Sequence, residues 1–211
     1  QYLFFTQWNS LHEFANNLGI KIIGDIPIFT AAESVDVWCN RTLFKCDSEG
    51  NQSVCAGVPP DGFSPTGQMW GNPVYDWEEH KKQKYSWWLK RIDMTLKMVD
   101  IVRIDHFRGF ESYWEIPIAS DDARSGQWVK GPGMDFIKHI KNKPIIAENL
   151  GVLTEEVDNL LASSTWPGMK VLQFAFEFKD GKFCNNHMYL PHTYSENCVA
   201  YTGTHDNQTS R

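Results

Sequence analysis

Paired cysteines are missing from this sequence. Its five cysteines, Cys39, Cys46, Cys55, Cys184 and Cys198, are odd in number and contain no C-x-x-C pair. Neither a disulfide framework nor a zinc ribbon is indicated, and reduced thiols of the cytoplasmic kind are expected. Long apolar runs are missing too, since none nears the ~18 residues that a membrane helix needs. An excess of positive charge is absent: 20 Lys+Arg face 26 Asp+Glu, for a formal net charge of -6. That balance disfavours nucleic acid or an anionic membrane surface as the main partner, because both reward basic patches. The chain opens Gln1-Tyr2-Leu3, with no initiator Met, basic n-region, apolar h-region or cleavage site. It is expected to start partway through a longer one. The three N-x-[ST] sequons, at Asn40, Asn51 and Asn207, then read as chance matches.

What is abundant is aromatic. Nine Trp, 13 Phe and 7 Tyr make up 14% of the 211 residues, within an otherwise ordinary globular composition. The length suits one domain with a sizeable core. Most of these rings belong in that core. The others suit a carbohydrate site, because flat apolar sugar faces stack on Trp and Tyr while carboxylates and amides take the hydroxyls.

Along the chain, Leu3, Phe4, Trp8, Leu11, Phe14, Ala15 and Leu18 recur at helical spacing, with Gly19 as the stop. Residues 21–28 then form an Ile-rich run that reads as a buried strand. Residues 30–77 lose all period and become rich in Gly, Pro, Asn and Ser. Residues 58–67 within them form a long loop of the kind that usually serves function. A helix is expected over 78–98, a second strand over 100–105, a helix around Phe136–Ile140 and a third strand over 144–148. Thr154 caps a further helix over 154–161, which carries acids in its first turn. A fourth strand is expected over 170–176 and a fifth over 198–204. Strands and helices alternating in this way argue for an α/β fold with a parallel sheet.

Three of these strands end in, or run into, a carboxylate: Asp105, Glu148 and Asp206. On the C-terminal face of a (β/α)8 barrel, such groups build the active site. Arg103 and Asp105 sit at i, i+2, on one side of their strand, so the guanidinium favours an ionised carboxylate, as a nucleophile requires. Glu148 ends the apolar run Ile145-Ile146-Ala147, where desolvation raises its pKa, as a general acid requires. One ionised and one protonated carboxyl are the apparatus of retaining glycoside chemistry. His187, His192 and His205 lack a metal-site spacing, so no metal is expected.

The literal residues narrow this further. Val102–Phe110, Ile146–Gly151 and Gly203–Asn207 resemble the catalytic regions of the 4-α-glucanotransferases (amylomaltases or disproportionating enzymes, glycoside hydrolase family 77). Pro59–Pro73 is similar to that family's active-site loop, and Gly24–Ile28 through Asp36–Trp38 to one of its strand regions. Gly62 departs from relatives with a larger side chain there.

The resemblance implies that Asp105 is the nucleophile, Glu148 the general acid/base and Asp206 the transition-state stabiliser. It implies substrate-binding roles for Arg103, His205, Asp61, Gln68, Trp70, Phe174 and Asp25, with Arg103 orienting the nucleophile. It also implies an incomplete catalytic (β/α)8 barrel over 1–211, spanning about the third to seventh strands, with an irregular insertion over 31–77 after the first of them. Family members are typically more than twice as long as this chain. The implied reaction transfers segments between α-1,4-glucan donor and acceptor chains (maltooligosaccharides, starch or glycogen), with no cofactor, nucleic acid or membrane involved. The setting is cytoplasmic, or a plastid in a plant or alga. The rival readings are an α-amylase-type hydrolase and a non-catalytic glucan-binding protein on the same fold.

Overall fold

A computed structural model describes residues 1–62, 64–151, 153–176, 178–179 and 182–209. Phe63, part of the loop motif, lies outside the described residues. In chain order the strands are β1 (Ile23–Ile26), β2 (Val54–Val58), β3 (Gln68–Met69), β4 (Ile101–Ile104), β5 (Ser112–Pro117), β6 (Gln127–Lys130), β7 (Ile145–Ala147), β8 (Gly168–Val171), β9 (Phe178–Lys179), β10 (Lys182–Phe183) and β11 (Cys198–Tyr201). The helices are α1 (Tyr2–Asn17), α2 (Val35–Cys39), α3 (Trp77–Lys82), α4 (Ser86–Leu96), α5 (Gly133–Ile137) and α6 (Glu155–Ser164).

The fold is α/β with mixed sheets. β1, β4 and β7 form a parallel sheet with β4 in the middle, and β8 pairs in parallel with β11. Two bonds tie these units together. Ala147 N–H donates to Pro167 O at 2.9 Å, and Met169 N–H donates to Asn149 Oδ1 at 2.7 Å. Period-two alternation then sorts the side chains. Ile26, Val102, Ile104, Ile145 and Ala147 enter the apolar core with Trp88 and Ile92 of α4, Phe136 and Ile137 of α5, and Val157 and Leu160 of α6. Asp25, Arg103 and the residues in phase with them take the other face.

The structure departs from the sequence reading at several elements. The helix expected over 78–98 is two helices, broken where Lys84 and Tyr85 take left-handed φ values of 51° and 55°. The break lets Tyr85 and Trp88 both enter the core. The strand expected over 170–176 stops at Val171, and Leu172–Ala175 is a 3-10 turn. The helix around 136–140 begins earlier, at Gly133.

Residues 30–77 are not wholly irregular. β2 and β3 join β5 and β6 in a four-stranded antiparallel sheet of order β3-β2-β5-β6. Residues 54–58 pair with 112–117 across a long stretch of sequence, and a glycine stands where β3 meets β2. A Cβ on Gly57 would stand 2.1 Å from Gln68 O, so only glycine lets β3 approach β2. Helix α1 forms as expected, and Gly19 at φ 75° ends it, with Ile20 N–H reaching back to Ala15 O. Yet none of its residues is buried. It is tied to the rest of the fold through Trp8, whose Nε1–H donates to Met98 O at 2.7 Å, and through His12 and Asn16, which both meet Asp100 Oδ2 at 3.0 Å.

His80 of α3 is fully buried against the rings of Tyr75, Trp77 and Trp87. Burial pushes its pKa down to about 4. The unfolded chain takes a proton on this imidazole near pH 6.5 and the native state does not, so its contribution to stability is present above that pH. It is lost as the pH falls towards about 4, on the order of 3 kcal/mol in all. His80→Phe is expected to flatten the fall in denaturation midpoint between pH 7 and 4; an unchanged slope would count against this role.

Candidate active site

Strand register assembles the charged groups. Asp25 lies opposite Arg103 in the β1–β4 ladder, and Arg103 lies opposite Ile146 in β4–β7. Two residues further along each of the latter strands come Asp105 and Glu148. The ladder continues through them: Asp105 N–H donates to Ile26 O and Glu148 N–H to Ile104 O, both at 2.9 Å. Asp25, Arg103, Asp105 and Glu148 therefore share the face that the core does not use, at and just beyond the C-terminal strand ends.

Arg103, 8% exposed, is the centre of this group. Its Nη1 lies 2.8 Å from both Asp25 oxygens, its Nη2 lies 2.8 Å from Asp105 Oδ1, and its Nε points at Met169 Sδ at 3.2 Å. The pairing expected between Arg103 and Asp105 is present, with Asp25 as a second carboxylate on the same cation. The electrostatic outcome differs from the expectation. Burial pushes the Asp105 carboxyl above the ordinary carboxylate range; Arg103 pulls it down, while the charges of Asp25 and Asp206 add to the rise.

Glu148 is 9% exposed. Its Oε2 accepts from His106 N–H at 2.7 Å and its Oε1 from Leu150 N–H at 2.6 Å. Burial nevertheless raises its pKa, helped by the charge of Asp105, with the two backbone donors and Arg103 opposing. This is the raised acid expected at the end of the apolar strand β7.

The remaining residues separate into those that join this centre and those beside it. Asp61, Gln68 and Trp70 line one cleft of about 230 Å³ together with Glu148, His106, Leu150 and Trp128. Asp61 fixes its own loop, its Oδ1 accepting from Ser64 N–H at 2.8 Å. Gln68 Oε1 accepts from Trp70 Nε1–H at 3.0 Å, and the Trp70 ring meets His106 edge-on at 5.0 Å. His205 borders a second depression with Arg103, Met169, Tyr201 and Thr204. Asp206 lies next to it, Nε2 to Oδ1 3.4 Å, and both side chains are 70% exposed. Phe174 stands one layer back, packed on Tyr189 at 5.4 Å beside Leu150, which also borders the cleft.

Arg108 and Trp128 were not singled out as site residues by the sequence. The Arg108 guanidinium, close in sequence to Asp105, sits 4.0 Å over the Trp128 ring. No spacing announces this, because Trp128 comes from β6. His106 takes a left-handed φ of 52°, which turns its N–H onto Glu148. Burial drives its imidazole pKa down to about 3, so the ring is neutral. Among the described residues no group of three His, Cys, Asp or Glu could hold a metal ion, and no helix is long and apolar enough to cross a membrane.

Comparison with known proteins gives the family of the chain. The family model for 4-alpha-glucanotransferase, glycoside hydrolase family 77, matches residues 1–211. The 4-alpha-glucanotransferase of Streptococcus pneumoniae is 52% identical over 213 residues, covering 99% of this chain and 41% of the relative. That of Clostridium butyricum is 51% identical over 216 residues, covering 100% of this chain and 43% of its own length. Among solved structures, amylomaltase from Streptococcus agalactiae in complex with acarbose superposes with a TM-score of 0.92 at 47% identity, covering 98% of this chain and 42% of that one. The chain thus spans about two-fifths of the length of the relatives it matches. With the motifs, the strand-end carboxylates and these likenesses in agreement, the chain belongs to the 4-alpha-glucanotransferase family, glycoside hydrolase family 77.

Proposed function

We propose that this chain carries the catalytic centre of a retaining α-1,4-glucan transferase. One observation carries the reading: a buried Glu148 shares a strand face with an Asp105 held by a buried Arg103. Glu148 in its protonated form gives its proton to the glycosidic oxygen while the Asp105 carboxylate attacks the anomeric carbon. The C–O bond breaks, a glucosyl ester of Asp105 forms, and the shortened glucan leaves. A hydroxyl of a second glucan then gives its proton to Glu148 and attacks the same carbon, expelling Asp105 with net retention.

Arg103 fixes the nucleophile by two-sided charge pairing. Asp206 faces the positive charge that develops on the sugar ring, and His205 takes ring hydroxyls. Asp25 secures Arg103, while Asp61, Gln68, Trp70 and Phe174 serve the acceptor side. No cofactor enters these steps. The acarbose held by the amylomaltase of S. agalactiae supports a saccharide partner here.

On this reading β1, β4, β7, β8 and β11 are the third to seventh strands of a (β/α)8 barrel, with residues 31–77 as a subdomain inserted after the first of them. Carboxylates clustered at the C-terminal ends of parallel strands support that placement. The five free cysteines suit a reducing compartment, the cytoplasm or a plastid.

The test is product analysis of maltotriose incubated with the full-length protein that carries this chain. Redistribution into longer and shorter chains is expected, and release of glucose by water alone would overturn the transferase in favour of a hydrolase. Asp105→Asn and Glu148→Gln should each cut transfer by at least about a thousandfold, since residues of one catalytic unit are not additive. In a saccharide complex the two carboxyls should stand about 5–5.5 Å apart, whereas a separation near 9 Å would indicate inversion.

The pKa directions set the pH profile. Transfer is lost at low pH as Asp105 protonates and at high pH as Glu148 ionises, and Arg103 lowers both pKa values. Arg103→Gln is therefore expected to move both limbs of the kcat/KM profile to higher pH and to reduce the rate about a hundredfold through lost positioning. A lower rate with unmoved limbs would reject the electrostatic part of this account.

A further inference from the structure

Asp105 and Glu148 open into different cavities. Asp105 borders a depression of about 180 Å³ with Pro27, Ile28, Phe29, Trp70 and Asn72. Glu148 borders the cleft that contains Asp61, Gln68 and Trp128, and Trp70 is common to both. In the retaining scheme the transferred sugar lies between the two carboxyls, and the leaving or accepting sugar lies on the far side of the acid/base. The Glu148 cleft is therefore the acceptor side, and Trp128 lines it together with Trp70.

Trp128 is large, 44% exposed and yet held in place. The Arg108 guanidinium stacks on its ring at 4.0 Å. Trp114, directly opposite on β5, meets it at 5.1 Å and 69°. Trp114 is itself anchored, Nε1–H to Ala123 O at 2.8 Å. Past Trp128 the surface falls into another depression of about 220 Å³, again bordered by Arg108 and Trp128, and beyond them by Glu111, Lys130, Thr154 and Glu156. An indole ridge between two depressions, one catalytic and one rimmed by hydroxyl-binding groups, fits a sugar chain that crosses it.

We infer that Trp128, backed by Arg108, is an acceptor-side sugar platform that leads an α-glucan out of the Glu148 cleft into the neighbouring depression, so that longer acceptors are favoured over glucose. The inference rests on the transferase reading above.

The test compares glucose, maltose and maltotriose as acceptors for one donor in the full-length protein that carries this chain. In Trp128→Ala the kcat/KM ratio of maltotriose to glucose should fall about tenfold, the worth of one aromatic contact, and Trp128→Phe should restore most of it. A loss equal for all three acceptors, or no loss, would overturn the inference. A second measurement needs no variant of Trp128 and no turnover. N-bromosuccinimide oxidation of the Asp105→Asn chain, read by peptide mass, should show Trp128 protected by maltotriose and not by glucose, and absence of that protection would also overturn it. Failure of the underlying reading has a separate signature: Asp105→Asn would then keep its transfer activity.

Discussion

The site depends on one buried cation. Arg103 stands on the central strand of a three-stranded parallel sheet, almost out of water, with Asp25 on one side and Asp105 on the other. A guanidinium taken from water loses hydration that only well-placed carboxylates replace, and removing one member of such a group is far more disruptive than the pair's net worth suggests. Here the constraint acts in both directions. The two aspartates hold Arg103 in the sheet interior, and Arg103 holds two like charges together that would otherwise repel. β1 and β4 must keep their register for this to happen, since a slip of one residue would send Asp25 to the core face.

Glu148 is held by different means. Its carboxyl is gripped by the N–H groups of His106 and Leu150, which come from the turns after β4 and β7. His106 adopts a left-handed conformation that a non-glycine residue enters at a cost, and the resulting turn aims its amide at the acid. Donors to a carboxylate favour its charged form, but desolvation outweighs them, and the balance leaves Glu148 with a raised pKa. Asp105 is raised as well, with a cation beside it rather than amides. Two carboxyls a few residues from the same strand ends thus differ in what opposes their burial, which suits two different proton states in one reaction.

The walls of the cleft belong to another layer. Gln68 and Trp70 enter from β3 and its continuation, and Trp128 enters from β6 of the same antiparallel sheet. Glycine at position 57 allows β3 to lie against β2, so the placement of Trp70 rests on the absence of a side chain some distance away. The proposed binding surface and the proposed reacting groups are therefore built on separate sheets that meet at the cleft.

Some of this was legible from the residues. Ile- and Val-rich runs ending in Asp105 and Glu148 carry their own evidence, because a strand alternates by two and a carboxylate at its end faces one side or the other. Arg103 at i, i+2 from Asp105 follows from the same rule, as does the stop of α1 at Gly19. The broken helix at Lys84–Tyr85, the antiparallel sheet and the early end of β8 were not legible. Each is decided by partners distant in sequence: the core that takes both Tyr85 and Trp88, the pairing of residues 54–58 with 112–117, and the end of the β8–β11 ladder at the Val171–Tyr201 pair, after which Leu172–Ala175 turns. The sequence by itself determined the α/β alternation and which carboxylates would stand at strand ends, since those depend on local periodicity. Only the tertiary structure decided that Asp25 shares Arg103, that Arg108 backs Trp128 rather than Asp105, and that burial outweighs the guanidinium at Asp105, because register, stacking and desolvation are properties of neighbours that the chain brings together only when it folds.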